Sequence, residues 1–134
     1  SCSLGAAKYC INKSLAYVKE RKQFGQFLKE YQSIQFKIAD MLTEYKTARL
    51  LVHKAANALD KKDNDSTYLS AMAKRYATDA CFKICNEALQ IHGGYGYLSD
   101  YGIEKMVRDC RVHQILEGTN EIMRIIISKN FLDL

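Results

Sequence analysis

Two stretches of this chain repeat apolar residues every three or four positions over many turns, and no proline occurs anywhere in the 134 residues. Proline removes a backbone donor and breaks helices from within, so a proline-free chain with this period is committed to long helices joined by few turns. One stretch runs from about Gln32 to Leu59, with Ile34, Ile38, Leu42, Tyr45, Ala48, Val52, Ala55 and Leu59 on one face. The other runs from about Ser66 to Ile91 through Leu69, Met72, Tyr76, Ala80, Ile84, Ala88 and Ile91. Each predicts a helix about 40 Å long at about 1.5 Å per residue.

A shorter helix is predicted from Leu4 to about Lys19, carried by Leu4, Ala7, Ile11, Leu15 and Val18. The polar run Asp60–Asp65 reads as a surface loop, with Asp65 or Ser66 placed to cap the next helix. Gly93-Gly94 reads as the stop of that helix. A short helix is expected from about Asp100 to Val107, then a non-periodic stretch from Arg108 to Gly118. Thr119 is a suitable N-cap for a last helix with Ile122, Ile125, Ile126 and Leu132 on one face. No strand pattern stands out. The expected fold is all-α, an up-down four-helix bundle forming one domain over residues 1–134. Apolar residues off the main stripes (Leu50, Leu51, Phe82) point to burial by a second copy.

Composition excludes several classes. Hydrophobic residues make up 48% and charged residues 26%, the ordinary globular range, which argues against disorder. No apolar run approaches the roughly 20 residues of a membrane span. The start shows no charged-then-apolar leader, so no targeting segment is expected in this stretch. A net charge of +5 is spread without stacking aromatics, which argues against nucleic acid. The odd set of Cys2, Cys10, Cys81, Cys85 and Cys110 lacks any CxxC pair, so the cysteines read as small core residues in a reducing compartment. Cys110 and His113 lack the further ligands of a zinc site, and no metal is expected.

Three segments carry chemistry. In Arg21-Lys22-Gln23-Phe24-Gly25, an arginine and an aromatic three apart can grip a dinucleotide, guanidinium on phosphate and ring on base. The plain alternative is a helix-end arginine beside a core phenylalanine. In Gln90-Ile91-His92-Gly93-Gly94-Tyr95-Gly96-Tyr97, paired glycines allow close backbone approach to a ligand. The alternative is a helix stop with a tyrosine-anchored loop. In Ile115-Leu116-Glu117-Gly118-Thr119-Asn120-Glu121, a carboxylate follows two apolar residues and precedes a glycine at a helix start. Burial by Ile115 and Leu116 would make Glu117 a stronger base, the helix N-terminus a weaker one. The alternative is a capping acid beside Thr119.

Taken together with Arg108-Asp109, in this order and spacing, these segments resemble the acyl-CoA dehydrogenase family, and the resemblance runs along the whole chain. It is closest to members that act on short branched acyl groups, through Ser1–Ala7, Ala77–Asp79, Cys81–Asn86 and Arg111–Glu117. The resemblance implies that this is the C-terminal helical domain of a longer enzyme, whose N-terminal helical and middle β-domains lie outside the chain. It implies FAD as cofactor, an acyl-CoA thioester as substrate, a homotetramer, and electron-transfer flavoprotein as electron acceptor. It implies the mitochondrial matrix in a eukaryote and the cytoplasm otherwise.

Residue by residue, the resemblance makes Glu117 the catalytic base. Arg21 and Phe24 would reach a neighbouring subunit's FAD, Tyr31 and Gln32 line the same flavin, and the segment Gln90, Ile91, His92, Gly93 and Gly94 lie over its ADP part. Thr119, Asn120 and Glu121 would touch the chain's own FAD, and Leu116, Gly118 and Lys129 the substrate. Two positions depart from the family pattern. Lys129 stands where an arginine is common, losing the bidentate fork. Leu116 stands where straight-chain members often carry tyrosine, which would leave room for an α-branch. The competing readings are a helical oligomerisation platform without catalysis, and an acyl-CoA oxidase. The isolated domain is expected to self-associate, to be inactive, and to bind FAD weakly or not at all.

Overall fold

The computed structural model describes residues 1–132. Five helices carry the fold: α1 (Cys2–Glu20), α2 (Gln32–Asp60), α3 (Ser66–His92), α4 (Ile103–His113) and α5 (Asn120–Leu132). The all-α architecture follows the apolar periods closely for the three long helices.

Helix α3 is the axis of the bundle. It packs against all four other helices. It buries several sides at once, through Leu69, Ala73, Ala77, Cys81, Ile84, Cys85 and Ala88. Small residues on so many sides let neighbouring backbones approach closely. Helix α2 is nearly as long but buries a single stripe, Met41, Ala48, Ala55 and Ala58. Its outer face leaves Phe36, Leu50 and Leu59 in solvent. Met41 and Ala58 face inward where the sequence pointed to Leu42 and Leu59. Phe82, expected on an outer face, packs against the main core.

All five cysteines are free, and Cys10, Cys81, Cys85 and Cys110 are buried. They serve as compact core residues where α1, α3 and α4 meet, with Cys85 Sγ and Cys110 Sγ 3.6 Å apart. Burial pushes the Cys81 thiol up to about 12, so it stays protonated and inert. Among the described residues, no helix is long and apolar enough to cross a membrane.

Four expectations need correction. A minimal antiparallel hairpin joins α1 to α2: β1 (Lys22–Gln23) pairs with β2 (Gln26–Phe27), Gln23 opposite Gln26. Its two-residue loop is Phe24-Gly25, both at positive φ (50° and 88°), the geometry of a type I′ turn. The usual signal for that turn is Asn-Gly or Asp-Gly, and phenylalanine hid it. Second, α4 starts at Ile103 behind Gly102 (φ 70°) and continues to His113, because Ile103, Met106, Val107 and Cys110 form a stripe that the charges around them obscured. Third, α5 faces inward with Asn120 and Met123, while Ile122, Ile125 and Leu132 remain exposed. Fourth, Asp65 holds the N-cap position of α3 as expected, but its side chain makes no capping hydrogen bond; its carboxylate accepts the Tyr68 hydroxyl at 2.8 Å.

Candidate functional site

At one end of α3 the first two segments meet. Arg21 ends α1, and its guanidinium sits 5.3 Å from the centre of the Tyr95 ring. Arg21, Gln23, Gln90, His92, Gly93 and Gly94 all border one open cleft of about 460 Å³. Gly93 takes a φ of 59° that ends α3, and a methyl group added to either glycine would meet open space. The cleft therefore offers a guanidinium, an amide side chain and bare backbone, which suits a phosphate-bearing ligand. Ile91 is buried, so its contribution to the cleft is limited to its edge.

His92 is 4% exposed. Its ring stacks on Tyr17 at 4.3 Å. Nδ1 lies 2.8 Å from the Ala88 carbonyl, which can only accept, so Nδ1 carries the proton. Burial holds the imidazole below its ordinary value of 6.5, with the Ala88 bond pulling upward and Lys13 pushing further down. The unfolded chain takes up this proton near 6.5 and the folded one resists it. Stability from His92 is thus complete above pH of about 6.5 and falls as pH drops below it. Thermal melts between about pH 7.5 and 5.5 should show this loss, and His92→Asn should lose less over the same range. Equal losses in both proteins would remove His92 as the cause.

Phe24 is not a core residue. It stands 95% exposed at the hairpin tip and does not border the cleft. A bulky residue at positive φ costs about 1–2 kcal/mol. The Tyr31 hydroxyl donates to the Gln23 carbonyl at 2.7 Å, tying the hairpin to the start of α2, where Gln32 is exposed.

The third segment lies elsewhere. Glu117 (φ 56°) and Gly118 (φ 90°) are consecutive left-handed residues in the loop between α4 and α5. The loop closes on itself through the Asn120 amide to the Gln114 carbonyl at 3.0 Å. Glu117 is exposed, as are Ile115 and Leu116, so these two side chains do not enclose the carboxylate within this chain. Thr119 caps α5 through its hydroxyl and the Ile122 amide at 3.4 Å. The Glu121 carboxyl is held below its usual range by its own backbone N–H and the Thr119 hydroxyl, with Arg124 adding a smaller pull. Lys129 is exposed, well along α5.

Asn120 is 3% exposed and turned inward. Its amide nitrogen donates to Asp79 Oδ1 at 2.7 Å and Thr78 Oγ1 at 2.9 Å. Lys74 donates to Asn120 Oδ1 at 2.8 Å and to the Gly118 carbonyl at 2.7 Å. Gln114 Nε2 donates to Asp79 Oδ1 at 2.8 Å. No site role follows from the sequence for Lys74, Thr78, Asp79 or Gln114, although the last three fall in stretches that carry the family resemblance. A signal was there: Lys74 and Thr78 fall on the same α3 stripe as Cys81, Cys85 and Ala88, and a lysine on a buried stripe needs partners.

Lys74 and Gln90 mark the two ends of this arrangement, about 24 Å apart along α3 at about 1.5 Å per residue. The Arg21 cleft thus sits at the C-terminal end of α3 (Ser66–His92), and the Glu117 turn packs over its middle, at Lys74 and Asp79.

Comparison with known proteins defines the class first: residues 1–132 match the family model described as acyl-CoA dehydrogenase, C-terminal domain. Similar proteins include the mitochondrial isobutyryl-CoA dehydrogenase of Bos taurus, 54% identical over 98% of this chain and 32% of that protein. Another is the CarC subunit of the caffeyl-CoA reductase–Etf complex of Acetobacterium woodii, 48% identical over 96% of this chain and 34% of that one. The structure of butyryl-CoA dehydrogenase from Megasphaera elsdenii superimposes with a TM-score of 0.93 and 39% identity, covering 97% of this chain and 34% of that one. The chain belongs to the acyl-CoA dehydrogenase family, a family of FAD-dependent enzymes, as its C-terminal domain. It spans about a third of the length of these relatives.

Proposed function

We propose that this domain serves an enzyme that removes the α- and β-hydrogens of a short branched acyl-CoA thioester, isobutyryl-CoA foremost, with Glu117 as the base. That substrate places the reaction in valine breakdown within branched-chain amino acid catabolism. The carrying observation is Glu117 itself, an accessible carboxylate on a left-handed turn in a chain 54% identical to an isobutyryl-CoA dehydrogenase.

The Glu117 carboxylate takes the α-proton: the Cα–H bond breaks, an O–H bond forms on the glutamate, and the electron pair moves toward the thioester carbonyl. A backbone amide of the turn would hold that carbonyl and stabilise the developing charge. When bound, FAD supplies the acceptor for the β-hydride. Arg21, Gln90, Gly93 and Gly94 would hold its phosphates in their cleft. Phe24 would contact it from the hairpin, Tyr31 and Gln32 from the start of α2, and Thr119 and Glu121 from the side of the base. Their separation along α3 fits a flavin shared between copies, as does the apolar surface left by Phe36, Leu50, Ile122 and Ile125. A homotetramer is the assembly this arrangement supports, and electron-transfer flavoprotein the electron acceptor. For a eukaryotic source, the location is the mitochondrial matrix.

A panel of isobutyryl-, 2-methylbutyryl- and butyryl-CoA on the full-length enzyme tests the reading. We expect the highest kcat/KM with isobutyryl-CoA. Preference for butyryl-CoA would refute the role of Leu116 in admitting a branch. Reduction of an aryl-acrylyl thioester, with no oxidation of any saturated one, would place the enzyme with the reductases. Release of peroxide on turnover would make it an oxidase.

A further inference from the structure

We propose that Lys74 is the positioning residue for the Glu117 turn; this deepens the assignment of Glu117 as base and rests on it. The ammonium reaches from α3 into the loop behind Glu117. It donates to the Gly118 carbonyl at 2.7 Å, to Asn120 Oδ1 at 2.8 Å and, more weakly, to the Gln114 carbonyl at 3.5 Å. These acceptors bracket Glu117 on both sides in sequence. An ammonium has three donors and no acceptor, so this site uses its full capacity.

The turn needs such a clamp. Two successive left-handed residues, one of them not glycine, hold strain of about 1–3 kcal/mol that the surroundings must fix in place. The loop has little apolar anchorage of its own, since Ile115 and Leu116 are exposed. What holds it is polar: Lys74 binds its carbonyls, while Asp79 binds its amide side chains, Gln114 at 2.8 Å and Asn120 at 2.7 Å. Lys74 and Asp79 both project from α3, which is fixed by contact with every other helix. The base is therefore registered to the helix that packs against all the others. Burial lowers the affinity of Lys74 for its proton, and the carboxylates Asp79, Glu117 and Glu121 restore part of it. A half-buried ammonium bound to carbonyls is costly unless geometry repays it, and here the return is a fixed direction for the Glu117 side chain.

Lys74→Met in the full-length enzyme keeps the length of the side chain and removes its donors. Flavin content and thioester affinity should stay near normal, the latter read from the flavin spectral shift with a non-reactive thioester. The rate of anaerobic flavin bleaching per bound flavin should fall about ten-fold, less than the roughly 10²-fold that a 1 Å misplacement of reacting groups costs. Lys74→Arg, which restores a cation and its donors, should recover part of that rate. Amides of residues 114–119 should exchange with deuterium faster, while those of 80–90 stay protected. A normal bleaching rate per bound flavin, or a loss that only follows flavin content, would overturn the proposal. If Lys74→Met does not fold, Lys74→Gln is read by the same criteria. Glu117→Gln measured alongside separates the two readings. If it bleaches normally, Glu117 is not the base, and the exchange over 114–119 still decides whether Lys74 holds the turn.

Discussion

Glu117→Gln in the full-length enzyme should bind flavin and acyl-CoA as the unaltered protein does, yet abstract the α-proton about 10²–10⁴-fold more slowly, the usual contribution of a positioned general base. The amide keeps the size and shape of the carboxylate but not its basic oxygen. Because Glu117 is exposed and makes no ion pair among the described residues, its replacement should leave the bundle intact. Melting temperature should be nearly unchanged, which separates chemistry from folding. Flavin bleaching by substrate without oxygen reads the proton-abstraction step directly, and a fall in kcat with KM preserved marks a group that acts in the transition state. Near-normal bleaching would mean that a carboxylate from elsewhere in the enzyme does this work. Glu117 would then be an acid beside a helix start and no more.

Arg21→Ala should act on the cofactor instead. A charge-assisted bond from a guanidinium to a phosphate is worth about 1.5–3 kcal/mol, so FAD should dissociate about 10- to 150-fold more readily by that energy scale. The guanidinium is held in place by the Tyr95 ring at 5.3 Å, so Tyr95→Leu should give a smaller change of the same sign. Purified Arg21→Ala enzyme should arrive partly colourless and regain activity when FAD is added in excess. Full flavin content combined with lost turnover would refute the phosphate role and move Arg21 toward the chemistry.

Much of this was legible from residue order because the long helices obey one rule. The α1 and α3 stripes lie where their apolar period puts them, and Gly93 stops α3 as expected. The Arg21 and Gln90–Gly94 segments also converge, since each sits at a helix end and those ends meet. The hairpin was hidden by Phe24 in a place where Asn or Asp is usual. The facing of α5 was hidden for a different reason. Its apolar residues are too evenly spread for a stripe to decide, and the buried amide of Asn120 decides instead. Hydrogen bonds between residues some forty apart, such as Lys74 to Asn120, leave no period in a sequence. A lysine among small apolar neighbours was the one visible trace.

The Arg21 cleft and the Glu117 turn depend on two places along one uninterrupted helix, its C-terminal end and its middle at Lys74 and Asp79. Inserting a single residue between Asp79 and Gln90 would swing one site against the other by about 100° and push it about 1.5 Å further along. Side chains on the outer faces of that span can be exchanged freely, but the count of residues cannot. Drift among descendants of this chain should therefore appear there as replacement and almost never as gain or loss of length, while the Asp60–Asp65 connection, bound by no such ruler, is where insertions should collect.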